Sequence, residues 1–213
     1  MPFDPQEIAR AQRHLKRSDP VLRAVISAVG PVTLKPHRDR FLMLVRSIIS
    51  QQISGKAARS IQSRLMALVA PGRMTPAALA ALTDGQLSSA GISPQKRGYL
   101  RDLADKVASG SVRLARAGRL DDDEIIAELT QVKGIGEWTA QMFLMFSLGR
   151  LDVFPHADLG IRSALRNLYK LPVLPDRQTS CRIAQPWSPY ATIGSWYCWR
   201  SLELPQLQPL AER

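Results

Sequence analysis

Cysteine is scarce in this chain. Cys181 and Cys198 are the only two in 213 residues, too few for a disulfide framework and too few for a four-cysteine iron–sulfur cluster. A reducing, cytoplasmic compartment is the natural one. Long apolar runs are also missing. None could span a bilayer, and Met1 to Arg10 lacks the apolar segment of a signal peptide, so no membrane-embedded part is expected. Acidic residues fall short of basic ones: 18 Asp+Glu stand against 29 Lys+Arg, for a net charge of +11 and a pI near 10.4. Such an excess favours a polyanionic partner, either nucleic acid or an anionic membrane surface. Period-2 alternation, internal repeats and low-complexity tracts are absent, which argues against sheets and solenoids. With 45% hydrophobic residues the chain is globular. Its length suits one domain or two small ones.

What is present is helix. Asp4-Pro5-Gln6-Glu7 supplies an Asp cap, a Pro at the first helical position and a Glu at the third. Ser18-Asp19-Pro20 repeats the cap-then-Pro signal before Val21, Leu22, Val25, Ile26 and Val29, which recur at helical spacing until Gly30-Pro31 stops them. A basic loop, Val32 to Asp39, leads to an apolar helix over 40–49 and another over 55–69, with Ala58, Ile61, Leu65 and Leu68 on one face. Thr75-Pro76, Thr83 or Asp84, and Ser93-Pro94 start three more; the last runs to about Ser109 with Tyr99, Leu103 and Val107 on one side. Three aspartates open a helix over 121–129, where they suit the positive end of its dipole. Prolines over 171–175 break the chain before helices over 176–185 and 189–202, and Glu203 to Arg213 reads as a frayed tail. The fold class is all-α.

The stretch richest in chemistry is 129–163, LTQVKGIGEWTAQMFLMFSLGRLDVFPHADLGIRS. Val132-Lys133-Gly134-Ile135-Gly136 is a turn between predicted helices over 121–129 and 137–148. Its two glycines allow positive φ and a close approach of backbone to a ligand. A helix–turn–helix of this kind aims the N–H groups of the turn and of the next helix at one point, a ready anion site. The plain alternative is an ordinary glycine helix stop. Asp158 stands just before Leu159, Ile161, Leu165 and Leu168, an N-cap position. The helix dipole and N–H groups there favour the ionised carboxylate near neutral pH. The plain alternative is a cap with no chemical role. Asp152 is a competing acid in a turn, and His156 reads as a loop residue.

These motifs resemble, in order, the helix–hairpin–helix plus Gly/Pro…Asp signature of a DNA-glycosylase superfamily, in particular its 3-methyladenine DNA glycosylase II branch. Ile48 to Ser54 (IISQQIS) is similar to that branch's SQQ segment. Trp187-Ser188-Pro189-Tyr190 and Ser195 to Arg200 (SWYCWR) are similar to its tryptophan-rich C-terminal helix. The matches run from about Asp19 to Leu202. The resemblance implies one unit over 1–213 with two helical subdomains flanking a DNA-binding cleft: residues 40–165 with the hairpin, and residues 1–39 plus 166–213. It implies a monomer acting on duplex DNA that carries alkylated bases. Gly134, Gly136 and Lys133 would lie on a DNA phosphate. The backbone carbonyls of Thr130, Val132 and Gly134 would surround a monovalent cation, Na+ or K+. No cofactor is required, and the iron–sulfur cluster of some relatives is not expected.

The resemblance also implies roles for side chains. Asp158 would be the catalytic carboxylate, stabilising the oxocarbenium-like sugar as the base departs and orienting the attacking water. Relatives often place a second acid just before it, where this chain has Ala157. Trp138 occupies the position at which strand-cutting members carry a Schiff-base lysine, so a monofunctional enzyme is expected. Trp138 and Trp199 would line the pocket that receives the extruded base, with Met142 and Tyr190 beside them and Trp187 and Trp196 as further candidates. Aromatic faces attract cationic alkylpurines by about 0.5–2 kcal/mol per contact; the plain alternative is that these residues are core. Gln51 and Gln52 would fill the gap left by the base, or else form a polar turn between core helices. The expected function is a monofunctional glycosylase that releases 3-methyladenine- and 7-methylguanine-type purines by hydrolysis in base excision repair. The alternatives are a non-enzymatic helix–hairpin–helix DNA binder and a glycosylase for a different lesion.

Overall fold

Short polar residues ahead of apolar runs mark where helices begin, and the computed structural model, which describes residues 3–205, follows those marks closely. Among the described residues there are twelve α-helices: α1 (Pro5–Ser18), α2 (Pro20–Val29), α3 (Arg40–Ser50), α4 (Gly55–Val69), α5 (Pro76–Ala81), α6 (Asp84–Ser89), α7 (Pro94–Ala108), α8 (Asp122–Thr130), α9 (Glu137–Phe143), α10 (Leu159–Leu168), α11 (Arg177–Ala184) and α12 (Ala191–Ser201). All but α9 and α12 start on a side chain that accepts a first-turn N–H: Asp4, Asp19, Asp39, Ser54, Thr75, Thr83, Ser93, Asp121, Asp158 and Asp176. Each such cap contributes about 1 kcal/mol to its helix. The helix expected over 137–148 is α-helical only to Phe143; Leu144–Leu148 widens into a π-helical turn. Short 3-10 turns at Ala117–Arg119 and Gln185–Trp187 carry no pattern that the sequence reading caught. No described helix is long and apolar enough to cross a membrane. Beyond Pro205, the tail expected to fray lies outside the described residues.

The chain divides into two compact units, His37–Leu148 and Met1–Pro36 with Gly149–Arg213. In the first, the central unit, α3 packs on α4, α7 and α9, α7 on α5 and α6, and α8 on α9. Leu44, Ile48, Leu65, Leu79, Leu87, Leu100, Leu103 and Phe143 are fully buried there. Each such side chain contributes about 1.5–3 kcal/mol through lost contact with water. The buried stripe of α7 is Leu100, Leu103 and Ala104 rather than Tyr99 and Val107. Its other flank, with Tyr99, is turned to the hairpin.

In the second, the terminal unit, α1, α2, α10 and α12 enclose Leu15, Leu22, Ile26, Ile161, Leu165, Trp187, Ile193 and Tyr197. The boundary expected near residue 165 therefore falls at 148/149. Ile161, Ala164 and Leu165 of α10 are buried with the terminal helices, which carries 149–165 into this unit. Leu159, expected on the apolar face of α10, is instead 64% exposed. It sits in the first turn beside Asp158, where the packed stripe has not yet begun.

Candidate functional site

In the central unit the chain leaves α8 and turns through Lys133, Gly134 and Ile135 into α9. Ile135 is buried, and its N–H donates to the Val132 carbonyl (3.0 Å). The two glycines differ. Gly134 has φ +80°, and a Cβ there would lie 2.2 Å from the Tyr99 ring, so both backbone and packing require glycine. Gly136, expected to share this freedom, has φ −98° and ψ 177°, extended backbone open to any residue. A Cβ on Gly136 would meet nothing within 4 Å. It occupies the N-cap of α9, which has no side-chain cap hydrogen bond. Glycine at this position leaves an open approach to a helix N-terminus, the geometry that suits an anion.

Three residues of α7, spaced three apart, brace this turn, a role that the sequence reading missed. The Tyr99 ring lies against Gly134. Asp102 accepts the Lys133 N–H (2.8 Å) with one oxygen and the Lys106 ammonium (2.6 Å) with the other. Burial raises the Asp102 pKa, but those hydrogen bonds and the Lys106 and Lys133 charges outweigh it and hold the carboxyl below its ordinary value. Lys96 donates to the carbonyls of Ile49 and Gln51 (2.7 Å each), closing the C-terminal end of α3, while burial pulls its ammonium below the ordinary lysine value. The Gln51 amide in turn donates to the Gly134 carbonyl (2.7 Å). Gln51 is thus turned onto the hairpin. Gln52, exposed and with φ +55°, stands at the tip of the loop beside the partly exposed Ile53. Lys133 holds the turn through its backbone and leaves its side chain exposed.

Trp138 lies in the first turn of α9 and is 43% exposed, whereas Met142, one turn on, is buried.

In the terminal unit Asp158 caps α10. Its Oδ1 accepts the Ile161 N–H (2.8 Å) and the Trp199 indole N–H (2.9 Å), and the residue is half-buried. Gly160 makes this pairing possible. A Cβ there would lie 3.0 Å from Asp158 Oδ1 and 3.1 Å from Trp199 Cδ1. A glycine inside the first turn costs about 1 kcal/mol relative to alanine, and that unexplained cost was the available signal in the sequence.

The remaining candidates separate. Asp152 accepts the Ser188 hydroxyl (2.6 Å) and the Ala191 N–H (3.0 Å), capping α12 from a neighbouring loop, a structural task. Trp187 is fully buried, and Trp196 is buried with its ring edge-on to Tyr197. Tyr190 precedes α12 while Trp199 is near its far end. The rise of a helix puts roughly 13 Å between them along the axis, so Tyr190 does not join Trp199 and Asp158. Its ring packs edge-on against His14 of α1 instead. The sequence motif put both residues in one helix signature and gave no measure of that distance. His156 is half-buried and Ala157 exposed in the loop before α10.

Comparison with known proteins places this geometry. A family model described as HhH-GPD superfamily base excision DNA repair protein matches residues 45–189. DNA-3-methyladenine glycosylase 1 of Schizosaccharomyces pombe is 32% identical over 202 residues, 92% of this chain and 89% of that protein. The solved structure of S. pombe 3-methyladenine DNA glycosylase in complex with abasic DNA superposes with a TM-score of 0.83 at 32% identity, over 92% of this chain and 98% of the other. A DNA-3-methyladenine glycosidase from Bacillus halodurans gives 0.81 at 34% identity, covering 93% and 89%. With a turn, a capped carboxylate and a chain-long match that agree, this chain belongs to the HhH-GPD superfamily of base excision DNA repair proteins.

Proposed function

We propose that this chain is a monofunctional DNA glycosylase that removes alkylated purines of the 3-methyladenine and 7-methylguanine type from duplex DNA by hydrolysis. The observation that carries the reading is the Asp158 carboxylate, fixed on one oxygen by the Ile161 N–H and the Trp199 indole. Those two donors hold the group in one orientation. As the bond between C1′ and the base nitrogen breaks, its electron pair leaves with the base, and positive charge develops on C1′ and the ring oxygen. A fixed anion stabilises that charge and orients the water that adds to C1′. An alkylated purine is already cationic and leaves as a neutral base, so no strong acid is needed. Trp199, bonded to that carboxylate, offers an aromatic face to such a cation. Trp138 cannot form a Schiff base, which leaves the sugar–phosphate strand uncut.

The hairpin would hold a backbone phosphate at the N-terminus of α9, with Gln52 the residue to enter the gap left by the base. The carbonyls of Thr130, Val132 and Gly134 suit a hard monovalent cation. The Val132 and Gly134 oxygens already accept the Ile135 N–H and the Gln51 amide, and a carbonyl oxygen has a second lone pair. Such a cation would offset the phosphate charge.

The test is base release from a methylated duplex by wild type and Asp158→Asn, with strand breaks scored before and after hot alkali. Release by wild type alone, with breaks only after alkali, is the expected result. Breaks before alkali would overturn the monofunctional reading. Equal release by both proteins would overturn the role of Asp158. Absence of release together with no preference for damaged DNA would leave a binding protein only.

A further inference from the structure

One face of α1 holds an unused cluster of positive charge. Arg10, Arg13, His14 and Arg17 recur at helical spacing and, with Pro189 and Tyr190, line an open groove of about 340 Å³ in the terminal unit. Arg10 pairs with Glu7. Arg13 and Arg17 are exposed, and their guanidiniums make no hydrogen bond or ion pair with a described residue. Two guanidiniums at i and i+4 repel each other, and among the described residues no carboxylate lines the groove to offset them. His14 bonds the Pro186 carbonyl through Nε2 (3.0 Å), and Tyr190 packs edge-on against its ring at 5.5 Å, which fixes the floor between the arginines. The groove is thus a row of cations beside a fixed, flat, partly apolar wall.

We propose that this groove is a second DNA-backbone site, in which Arg13 and Arg17 take successive phosphates while Pro189 and Tyr190 pack against the intervening sugar. It is separate from the place where a base would be released, because Tyr190 and Trp199 lie at opposite ends of α12, roughly 13 Å apart along the axis. The alternation of charge and apolar surface matches a phosphodiester chain, and guanidiniums are suited to phosphate oxygens. Contacts of this kind position DNA without reading its sequence.

The experiment measures binding of a labelled duplex carrying a stable abasic-site analogue, by wild type and by Arg13→Gln/Arg17→Gln, as salt is raised. Glutamine keeps helix propensity at both exposed positions. Each lost phosphate contact removes about 0.9 from the slope of log affinity against log salt, so the double variant should be shallower by about 1.8. Wild type should then lose roughly tenfold more affinity than the variant between about 50 and 200 mM salt. Arg13→Lys/Arg17→Lys should keep most of the wild-type slope. Base release from fully bound methylated DNA should be unchanged in the glutamine variant. An unchanged salt slope overturns the proposal, and so does a slope that the lysine variant fails to restore. Phenylglyoxal labelling of wild type, read by mass spectrometry, tests the same point without a substitution. Arg13 and Arg17 should be protected by plain duplex DNA, and equal labelling with and without DNA would overturn the site. A groove that binds DNA in a protein that releases no base would leave this inference standing while the proposed activity fell.

Discussion

Two aspartates in the terminal unit are built on the same plan, a helix cap that also accepts an indole N–H, and differ in how closed they are. Asp19 caps α2, and Asp158 caps α10. Each accepts an indole N–H, from Trp187 at 2.8 Å and from Trp199 at 2.9 Å. Each pair has a glycine that makes room for the indole: a Cβ on Gly194 would lie 2.7 Å from the Trp187 ring, and one on Gly160 would lie 3.1 Å from Trp199. Asp19, however, is only 6% exposed. One of its oxygens takes the N–H groups of Val21 and Leu22, and the other takes Trp187 and the Tyr169 hydroxyl. Burial, followed by the bond to Asp19, pushes the Tyr169 phenol far above its ordinary value, a sign of how closed that site is. Asp158 is half-buried, with Leu159 exposed beside it. A carboxylate closed off from solvent can only hold structure. The same device opened to solvent can meet a substrate.

The largest effect should follow removal of charge at the open copy. Asparagine caps a helix about as well as aspartate, so Asp158→Asn should melt within about 2 °C of wild type while base release falls by at least about 100-fold. Single-turnover release and a thermal melt check the two halves. At the closed copy the order should reverse. In Asp19→Asn the amide NH2 that replaces Oδ2 meets the Trp187 indole, which can only donate. The buried donor then has no acceptor, at a cost of about 1–3 kcal/mol in denaturant unfolding. Release per folded molecule should not change. If Asp19→Asn lost activity without losing stability, the division between the two aspartates would fail.

The glycines give a finer version of the same contrast. Gly160→Ala removes the helix penalty of glycine, about 1 kcal/mol, yet its Cβ crowds both Asp158 and Trp199. Stability should hold or rise while release falls several-fold, through a displaced carboxylate. Gly194→Ala drives a methyl group into a fully buried ring and should cost about 1–3 kcal/mol, as overpacking does, with release per folded molecule preserved.

Helix positions were legible in the sequence because they depend on residues next to one another: Asp19-Pro20, Ser93-Pro94 and Asp121 ahead of apolar periods. Asp158 and the turn at Gly134 were legible for the same reason. The unit boundary was not. Whether α10 belongs with α9 or with α12 depends on which apolar faces meet, and Ile161 and Leu165 look the same in either setting. The two glycines of the turn could not be told apart either, since the need for glycine at Gly134 comes from Tyr99, over thirty residues away. Tyr190 was misplaced by proximity in sequence: nine positions on a helix is a long way in space. The bracing roles of Lys96, Tyr99 and Asp102 went unnoticed because their partners are mostly backbone atoms, which leave no mark in a residue pattern.

Asp102 is the intermediate case between the two aspartates and should show the smallest effect. Like Asp19 it serves only the fold, with one oxygen on the Lys133 N–H and the other on Lys106. Unlike Asp19 it braces a segment that would touch DNA. Its folded pKa lies below the ordinary carboxylate value. The support it gives the hairpin is therefore fully present above that ordinary value, near 4, and is lost only as the pH falls through the lower folded value. The Lys133 amide resonance should stay constant through neutral pH and move only in acid below about pH 4. Asp102→Asn should weaken binding to an abasic-analogue duplex by a few-fold at neutral pH, because a neutral acceptor holds the amide less firmly, and leave release from saturated complexes unchanged. A shift of the Lys133 resonance near pH 6 would mean that a group other than Asp102 governs the turn.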